Sequence, residues 1–240
     1  VPEPSASSPF LEVDLGPGVR AAFSTVALGN LGLGVGDDPV AVQERRARVA
    51  AWAGGRVAWA HQVHGSDVVV VGPRDAPRET CDAVVGVGVG AVGAAVVVAD
   101  CVPILLADAA AGLVAAVHAG RRGLVAGVVP ATLRRLVDAG ATDVRAVVGP
   151  AVCGACYEVP ADLRDEVEAV VPGTAATTTW GTPALDLPAG VLAQLRAGGV
   201  RAEPSGWCTR TDERFYSHRR ASVGEGPHGR ICGAVRLDLP

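Results

Sequence analysis

Short runs of β-branched and small apolar residues, broken by glycine, proline and aspartate, fill the middle of the chain. Val68–Val71, closed by Gly72-Pro73, and residues 94–99 are continuous apolar runs of strand length, which predicts two buried strands. Residues 104–107 and 113–117 are two more. The intervening Asp108-Ala109-Ala110-Ala111-Gly112 predicts a tight antiparallel hairpin. With Asp108 opposite Gly112, Cys101 falls opposite Ala119, beside His118.

Helical spacing lies on the flanks of this apolar centre. Asp38-Pro39 reads as an N-cap followed by proline in the first turn, and Gly54-Gly55 ends a helix running through residues 41–52. Residues 123–138 carry apolar positions at helical spacing (Leu124, Val128, Leu133, Leu136, Val137) and stop at Gly140. Pro130 must kink that helix or mark its true start. Residues 144–148 predict a strand, 162–171 and 189–197 predict helices, and Ile231–Leu237 a closing strand. Strands and helices mix without a βαβ rhythm, so an α+β layered fold is expected rather than a doubly wound one.

Composition narrows the picture. The chain has 240 residues, 49% of them hydrophobic, enough for one core; residues 1–10 are expected to be an extended segment and 11–240 a single domain. No run approaches the ~20 apolar residues of a membrane span, and the start of the chain lacks the pattern of a secretion signal, so a cytoplasmic protein with no membrane partner is expected. Net charge is -4 and the 21 basic residues are all arginine. They are scattered apart from adjacent pairs such as Arg45-Arg46, Arg121-Arg122 and Arg219-Arg220, which argues against a nucleic-acid partner. Six cysteines in such a chain point to reduced, metal-bound or catalytic thiols rather than a disulfide framework.

Three segments put one borderline or soft ligand at the edge of an apolar strand: Gln62-Val63-His64-Gly65, Ala99-Asp100-Cys101-Val102-Pro103 and Val117-His118-Ala119-Gly120. Two imidazoles and a thiolate suit zinc, and three protein ligands leave a fourth position for water or substrate. The same residues also allow two other readings. The histidines can be hydrogen-bonded core residues around a small buried cysteine, or Cys101 can be a nucleophile with His118 as its base. Gly88-Val89-Gly90-Ala91-Val92-Gly93 spells a dinucleotide fingerprint, but a strand rather than a helix follows it. Cys153-Gly154-Ala155-Cys156 lacks a thioredoxin-like setting and a second cysteine pair, so a loop without redox work is expected; Cys81, Cys208 and Cys232 are expected to be buried and silent.

Motifs spread over nearly the whole chain resemble the laccase-domain (YfiH-like) family: Asn30-Leu31-Gly32, Gln62-Val63-His64-Gly65, Ala99-Asp100-Cys101 with Pro103, His118-Ala119-Gly120 with Arg122-Gly123, Gly149-Pro150 with Cys156-Tyr157-Glu158-Val159, Cys208-Thr209, and Phe215-Tyr216-Ser217 with Arg219-Arg220. The resemblance implies a four-layer α/β/β/α sandwich with mixed sheets. It implies His64, Cys101 and His118 as catalytic metal ligands, with zinc as the ion and copper as the alternative. It also implies phosphorolysis of purine nucleosides (adenosine, inosine, guanosine, methylthioadenosine) together with adenosine deamination. Some members of the family suggest other chemistry at the same site, either editing hydrolysis of a peptidoglycan precursor or copper-dependent polyphenol oxidation. A non-catalytic protein with a structural metal is a further reading.

Asp100 is the expected outer residue orienting a ligand. Arg122 and Arg121, at a strand-to-helix turn, are expected to attract phosphate, and His61, Asn30 and Tyr157 to contact substrate; Glu158 is weighed as a proton shuttle. Two departures stand out. Arg121 replaces the family's tryptophan, and the connection from Val26 to Asn30 is short. A monomer is slightly favoured.

Overall fold

The computed structural model describes residues 8–72, 75, 80–88 and 92–238. The chain runs through β1 (Phe10–Glu12), β2 (Val19–Ser24), a 3-10 turn (Val26–Leu28), α1 (Pro39–Ala53), β3 (Val57–Trp59), β4 (Val68–Val71), β5 (Ala83–Val87), β6 (Gly93–Val98), β7 (Val102–Asp108) and β8 (Leu113–Ala119). There follow α2 (Arg121–Val125), α3 (Val128–Asp138), β9 (Arg145–Val148), α4 (Ala161–Val170), β10 (Ala175–Thr177), β11 (Pro183–Leu185), α5 (Leu187–Ala197), β12 (Arg201–Pro204), α6 (His218–Ser222) and β13 (Ile231–Leu237). The α+β class is the one the sequence predicts. Phe10, placed in the extended start by the sequence, already belongs to β1; residues 1–7 lie outside the described residues.

Two mixed sheets carry the fold, one ordered β1-β2-β13-β6-β3 and the other β12-β9-β7-β8-β5-β4, with β10 and β11 paired apart. The central hairpin explains the continuous apolar runs. Along β7, Val102, Ile104 and Leu106 pack against α2, α3 and α5, while Leu105 and Ala107 point into the space between the sheets with Phe23, Ala94, Val96 and Val235. A strand buried on both faces has no polar alternation to show. On the far side of the other sheet, Val49 and Trp52 of α1 cover Ala95, Cys232 and Ala234.

Three expectations shift. The hairpin pairs Asp108 with Leu113 rather than with Gly112, and Val102 rather than Cys101 faces Ala119. The register moves by one because buried Asp108 accepts hydrogen bonds from the N–H groups of Ala111 (3.0 Å), Thr142 (2.7 Å) and Asp143 (2.9 Å), and Gly112 takes a left-handed φ of 72° in a longer turn. β4 is an edge strand with Val70 exposed, so Val68–Val71 is not a buried strand. Residues 123–138 form no single kinked helix, because Gly127 at φ 83° separates α2 from α3 and puts Pro130 in the first turn of α3. The α1 boundaries agree with the sequence: Asp38 accepts from Val40 N–H, Pro39 opens the helix, and Gly54 closes it at φ 77°.

Gly149, just after β9, lies close against Phe23 of β2: an added Cβ would lie 2.2 Å from the ring of that fully buried residue. Gly149→Ala is expected to destabilise the chain by ~1–3 kcal/mol through overpacking, read as a lowered denaturation midpoint, whereas Gly34→Ala, at an exposed glycine with open space around it and no left-handed φ, should cost less.

Candidate functional site: a thiolate and two imidazoles at the end of a cavity

Cys101 immediately precedes β7 and His118 is the penultimate residue of β8, so the hairpin alone makes them neighbours. His64 arrives from the loop between β3 and β4. One ligand atom from each of the three residues falls within 4.8 Å of the others, and His64 Nε2 is 3.7 Å from Cys101 Sγ. For zinc with ordinary Zn–N and Zn–S lengths, a tetrahedral N···S edge is about 3.6 Å. The donor set and its spacing therefore fit that ion with little movement.

Glycines permit the approach. A Cβ on Gly120 would sit 2.7 Å from the His64 ring and 3.1 Å from Cys101 Sγ, and one on Gly123 would meet the carbonyl of Gly65 at 2.7 Å. His64 itself has φ 61° and Asp100 φ 83°, a left-handed backbone unusual for non-glycine residues. Both strained positions flank the donors, and both are held by buried carboxylates.

The first carboxylate is Asp82, which sequence reading missed. It is fully buried. Its Oδ1 accepts from His118 Nδ1 at 2.7 Å and from His64 N–H at 2.9 Å; its Oδ2 accepts from Gly65 N–H at 2.6 Å and Val63 N–H at 3.2 Å. One side chain thus fixes the His64 loop and orients the His118 ring so that Nε2 faces Cys101, as carboxylate partners of ligating histidines do. Burial pushes the Asp82 pKa up, but the His118 hydrogen bond and the Gly65 and Val63 N–H groups outweigh it and hold the carboxyl below its ordinary value. Asp100 sits elsewhere than expected. It accepts from Thr209 Oγ1 (2.6 Å) and from Arg219 N–H (2.8 Å), so it ties the 209–219 segment to the Cys101 turn rather than touching a histidine.

Without a cation the cluster favours a thiolate–imidazolium pair. Burial opposes charge on Cys101, yet hydrogen bonds with His118 and His64 bring its thiol down to about 6. Burial likewise lowers His118, and the hydrogen bonds with Asp82 and Cys101 outweigh it, raising the imidazole to about 9. Metal ligation needs His118 without its Nε2 proton. Loading is therefore expected to release one proton from this pair across the window between those two values, so that apparent affinity in chelator competition rises with pH up to about 9. It should fall more steeply below about 6, where Cys101 also protonates.

The donors open on a cavity of about 620 Å³. Its wall includes His61, Gln62, His218, Arg46, Arg230 and the 97–99 strand edge. Of the expected substrate contacts, His61 lines it. Asn30 does not: its amide bonds Gly32 O, Gly32 N, Asp37 and Arg230 N, so it braces the wall from behind. Arg121 and Arg122 open α2 outside that wall. Tyr157 lies under the Arg219 guanidinium (4.5 Å), and Glu158 accepts from the Trp180 indole (2.7 Å) beside a different cavity. Arg220 donates to the carbonyls of Thr209, Arg210 and Phe215, anchoring that loop. Arg46 and Arg230 carry no motif of their own, His218 lies within the Phe215–Arg220 motif without being singled out, and only the topology brings the three to the cavity.

A group of metal-type donors thus faces a cavity at the open end of the β7–β8 hairpin, in a fold of two mixed sheets. Residues 18–238 match the family described as multi-copper polyphenol oxidoreductase laccase, and the chain belongs to that family. It is 52% identical over 220 residues to a protein named purine nucleoside phosphorylase from Streptomyces coelicolor, covering 87% of this chain and 88% of the relative. A protein of the same name from Streptomyces griseus is 47% identical over 245 residues, covering 98% and 96%. Among solved structures, YlmD from Geobacillus stearothermophilus superposes with a TM-score of 0.84 at 29% identity, covering 97% of each chain.

Proposed function

We propose that this chain is a zinc-dependent purine nucleoside phosphorylase that also deaminates adenosine, with His64, Cys101 and His118 as the ligands. The observation that carries the reading is the convergence of those three donors at the end of a cavity large enough for a nucleoside. The names of its relatives point the same way. Zinc, when bound, would supply a Lewis acid in the wall of the cavity.

The chain's own residues do the rest. Asp82 keeps His118 and the His64 loop in place. The edge formed by Val97, Val98 and Ala99 offers an apolar wall for a flat base, with the Gln62 side chain locked to Val97 by paired bonds of 2.7 and 2.8 Å. In phosphorolysis a phosphate oxygen bonds to the sugar C1′ as the bond to the purine nitrogen breaks, and the departing base takes up a proton. His61 and His218, both in the wall, are placed to deliver it. Positive charge for the phosphate comes from Arg230 and Arg46, which face the cavity, rather than from Arg121 and Arg122.

Incubating zinc-loaded protein with inosine or adenosine, with and without phosphate, tests this. Free base and a sugar phosphate should appear only with phosphate, and ammonia should appear from adenosine. No base release with phosphate present would overturn the phosphorylase reading. Arg230→Ala is expected to raise the KM for phosphate about tenfold or more, the loss of a charge-assisted contact of ~1.5–3 kcal/mol, with the KM for nucleoside little changed.

The family description also names polyphenol oxidation. The chain has five histidines and no methionine, and among the described residues His61, His218 and His228 belong to no group of candidate metal ligands. Zinc chemistry fits this donor set better.

A further inference from the structure

Three cysteines outside the site above come together. Cys153 and Cys156 lie on the turn after β9, with the Cys156 and Tyr157 N–H groups bonded to the Cys153 carbonyl at 2.9 and 3.0 Å. Cys208 comes from the segment before α6. A bridge between Ala151 and Cys208, with the Thr209 N–H donating to the Ala151 carbonyl (3.0 Å), lays the two segments side by side. All three sulfurs lie within 4.8 Å of one another, and Cys153 N–H donates to Cys208 Sγ at 3.5 Å. Cys208 is therefore neither isolated nor fully buried, contrary to expectation, and it supplies the partner that Cys153 and Cys156 lack in the sequence.

We propose that Cys153, Cys156 and Cys208 form a second metal centre, a three-thiolate site for a thiophilic d10 cation, Zn²⁺ or Cu⁺. Two sulfurs from a Cys-x-x-Cys turn and a third from a distant loop are the arrangement such ions select. Ideal tetrahedral zinc needs S···S separations of about 3.8 Å, so modest side-chain rotation closes the site. A disulfide would use two sulfurs and strand the third.

Burial and the neighbouring Cys208 push the Cys153 thiol up to about 12 and raise Cys156 as well. Burial opposes ionisation of Cys208 too, but N–H groups of Cys153 and Arg210 outweigh it and keep its thiol below the ordinary range. Binding one cation to the three cysteines forms three metal–sulfur bonds, and each thiol that ligates gives up its proton to solvent, with no change of oxidation state. Beside the cluster is a cavity of about 400 Å³, lined by Cys156, Glu158 and His218, from which a fourth ligand can enter.

This centre would clamp the 205–217 segment to the turn after β9. Thr209, next to Cys208, bonds Asp100, which is next to Cys101. The clamp is thus a positioning device one hydrogen bond removed from the catalytic thiolate, and it does not depend on which reaction that thiolate serves.

The test uses the full chain with His64→Ala and Cys101→Ala together, so that the first centre is disabled. Zn²⁺ and Cu⁺ are supplied separately under reducing conditions. One equivalent of either ion should survive gel filtration, and the Co²⁺-substituted protein should show intense near-ultraviolet thiolate charge transfer. Adding Cys208→Ala, or Cys153→Ser where that variant fails to fold by circular dichroism, should abolish both signals. Neither ion retained, with three freely reactive thiols, or a mass showing an internal disulfide in freshly purified protein, would overturn the proposal.

Discussion

Asp82→Ala should cost on the order of 3–5 kcal/mol of stability, the range for breaking a buried, fully hydrogen-bonded charge pair, and metal binding should fail with it. The mutation removes the acceptor for three backbone N–H groups at once, those of Val63, His64 and Gly65, and leaves buried His118 without its partner. Each orphaned donor carries a desolvation penalty of about 1–3 kcal/mol, toward the lower end where the loop reaches water. The loss should be read in a denaturant melt. Asp82→Asn separates the two roles. Its amide keeps the shape and one acceptor but puts an N–H₂ group against N–H donors, so the fold should survive while metal affinity falls 10–100-fold. An Asn variant that binds metal like the native chain would mean that His118 needs no carboxylate.

Cys101→Ala should do the opposite, leaving the fold and removing the chemistry. Cys101 is partly buried, at the edge of the apolar cluster around Val98 and Phe215, and Ala keeps the Cβ and loses only the sulfur, so the melt should move by ~1 kcal/mol. Turnover should drop by on the order of 10² to 10⁴, the worth of a Lewis acid that stabilises developing charge by several kcal/mol. Chelation of the native protein should reproduce that loss, and zinc should reverse it. If chelation left activity intact while Cys101→Ala destroyed it, the thiolate would be acting as a nucleophile with His118 as its base.

The parts of this fold that announce themselves in the sequence are those whose signals are local. Asp38-Pro39 and Gly54 bracket α1 because capping chemistry depends on the residues themselves. The hairpin of β7 and β8 was legible as two apolar runs around a glycine-bearing turn, although a turn stabilised from outside by Thr142 and Asp143 moved the register by one. Runs of valine do not reveal how many faces are covered, so Val68–Val71 reads as a buried strand although β4 lies at an edge. Gly127 marked the break between α2 and α3, but the helical spacing of the apolar residues ran across it.

Within the site, the pattern singled out His64, Cys101 and His118 because each ends an apolar run. Asp82 escaped notice because a lone aspartate ahead of a strand reads as a solvated cap, and only the tertiary fold shows three N–H groups and an imidazole converging on it. A sharper clue was present in the need for some carboxylate to orient a ligating histidine. Arg46, Arg230 and His218 reach the cavity from α1, the start of β13 and α6, and no spacing along the chain connects them. The same is true of Cys208, which pairs with Cys153 and Cys156 only through the bridge to Ala151.

Anomalous diffraction at the zinc edge from crystals grown with Zn²⁺ tests the central claim most directly. The expected result is a peak in reach of three atoms, Nε2 of His64, Nε2 of His118 and Sγ of Cys101, at about 2.0–2.3 Å from each. Crystals that hold zinc elsewhere while these three side chains contact only one another would contradict it.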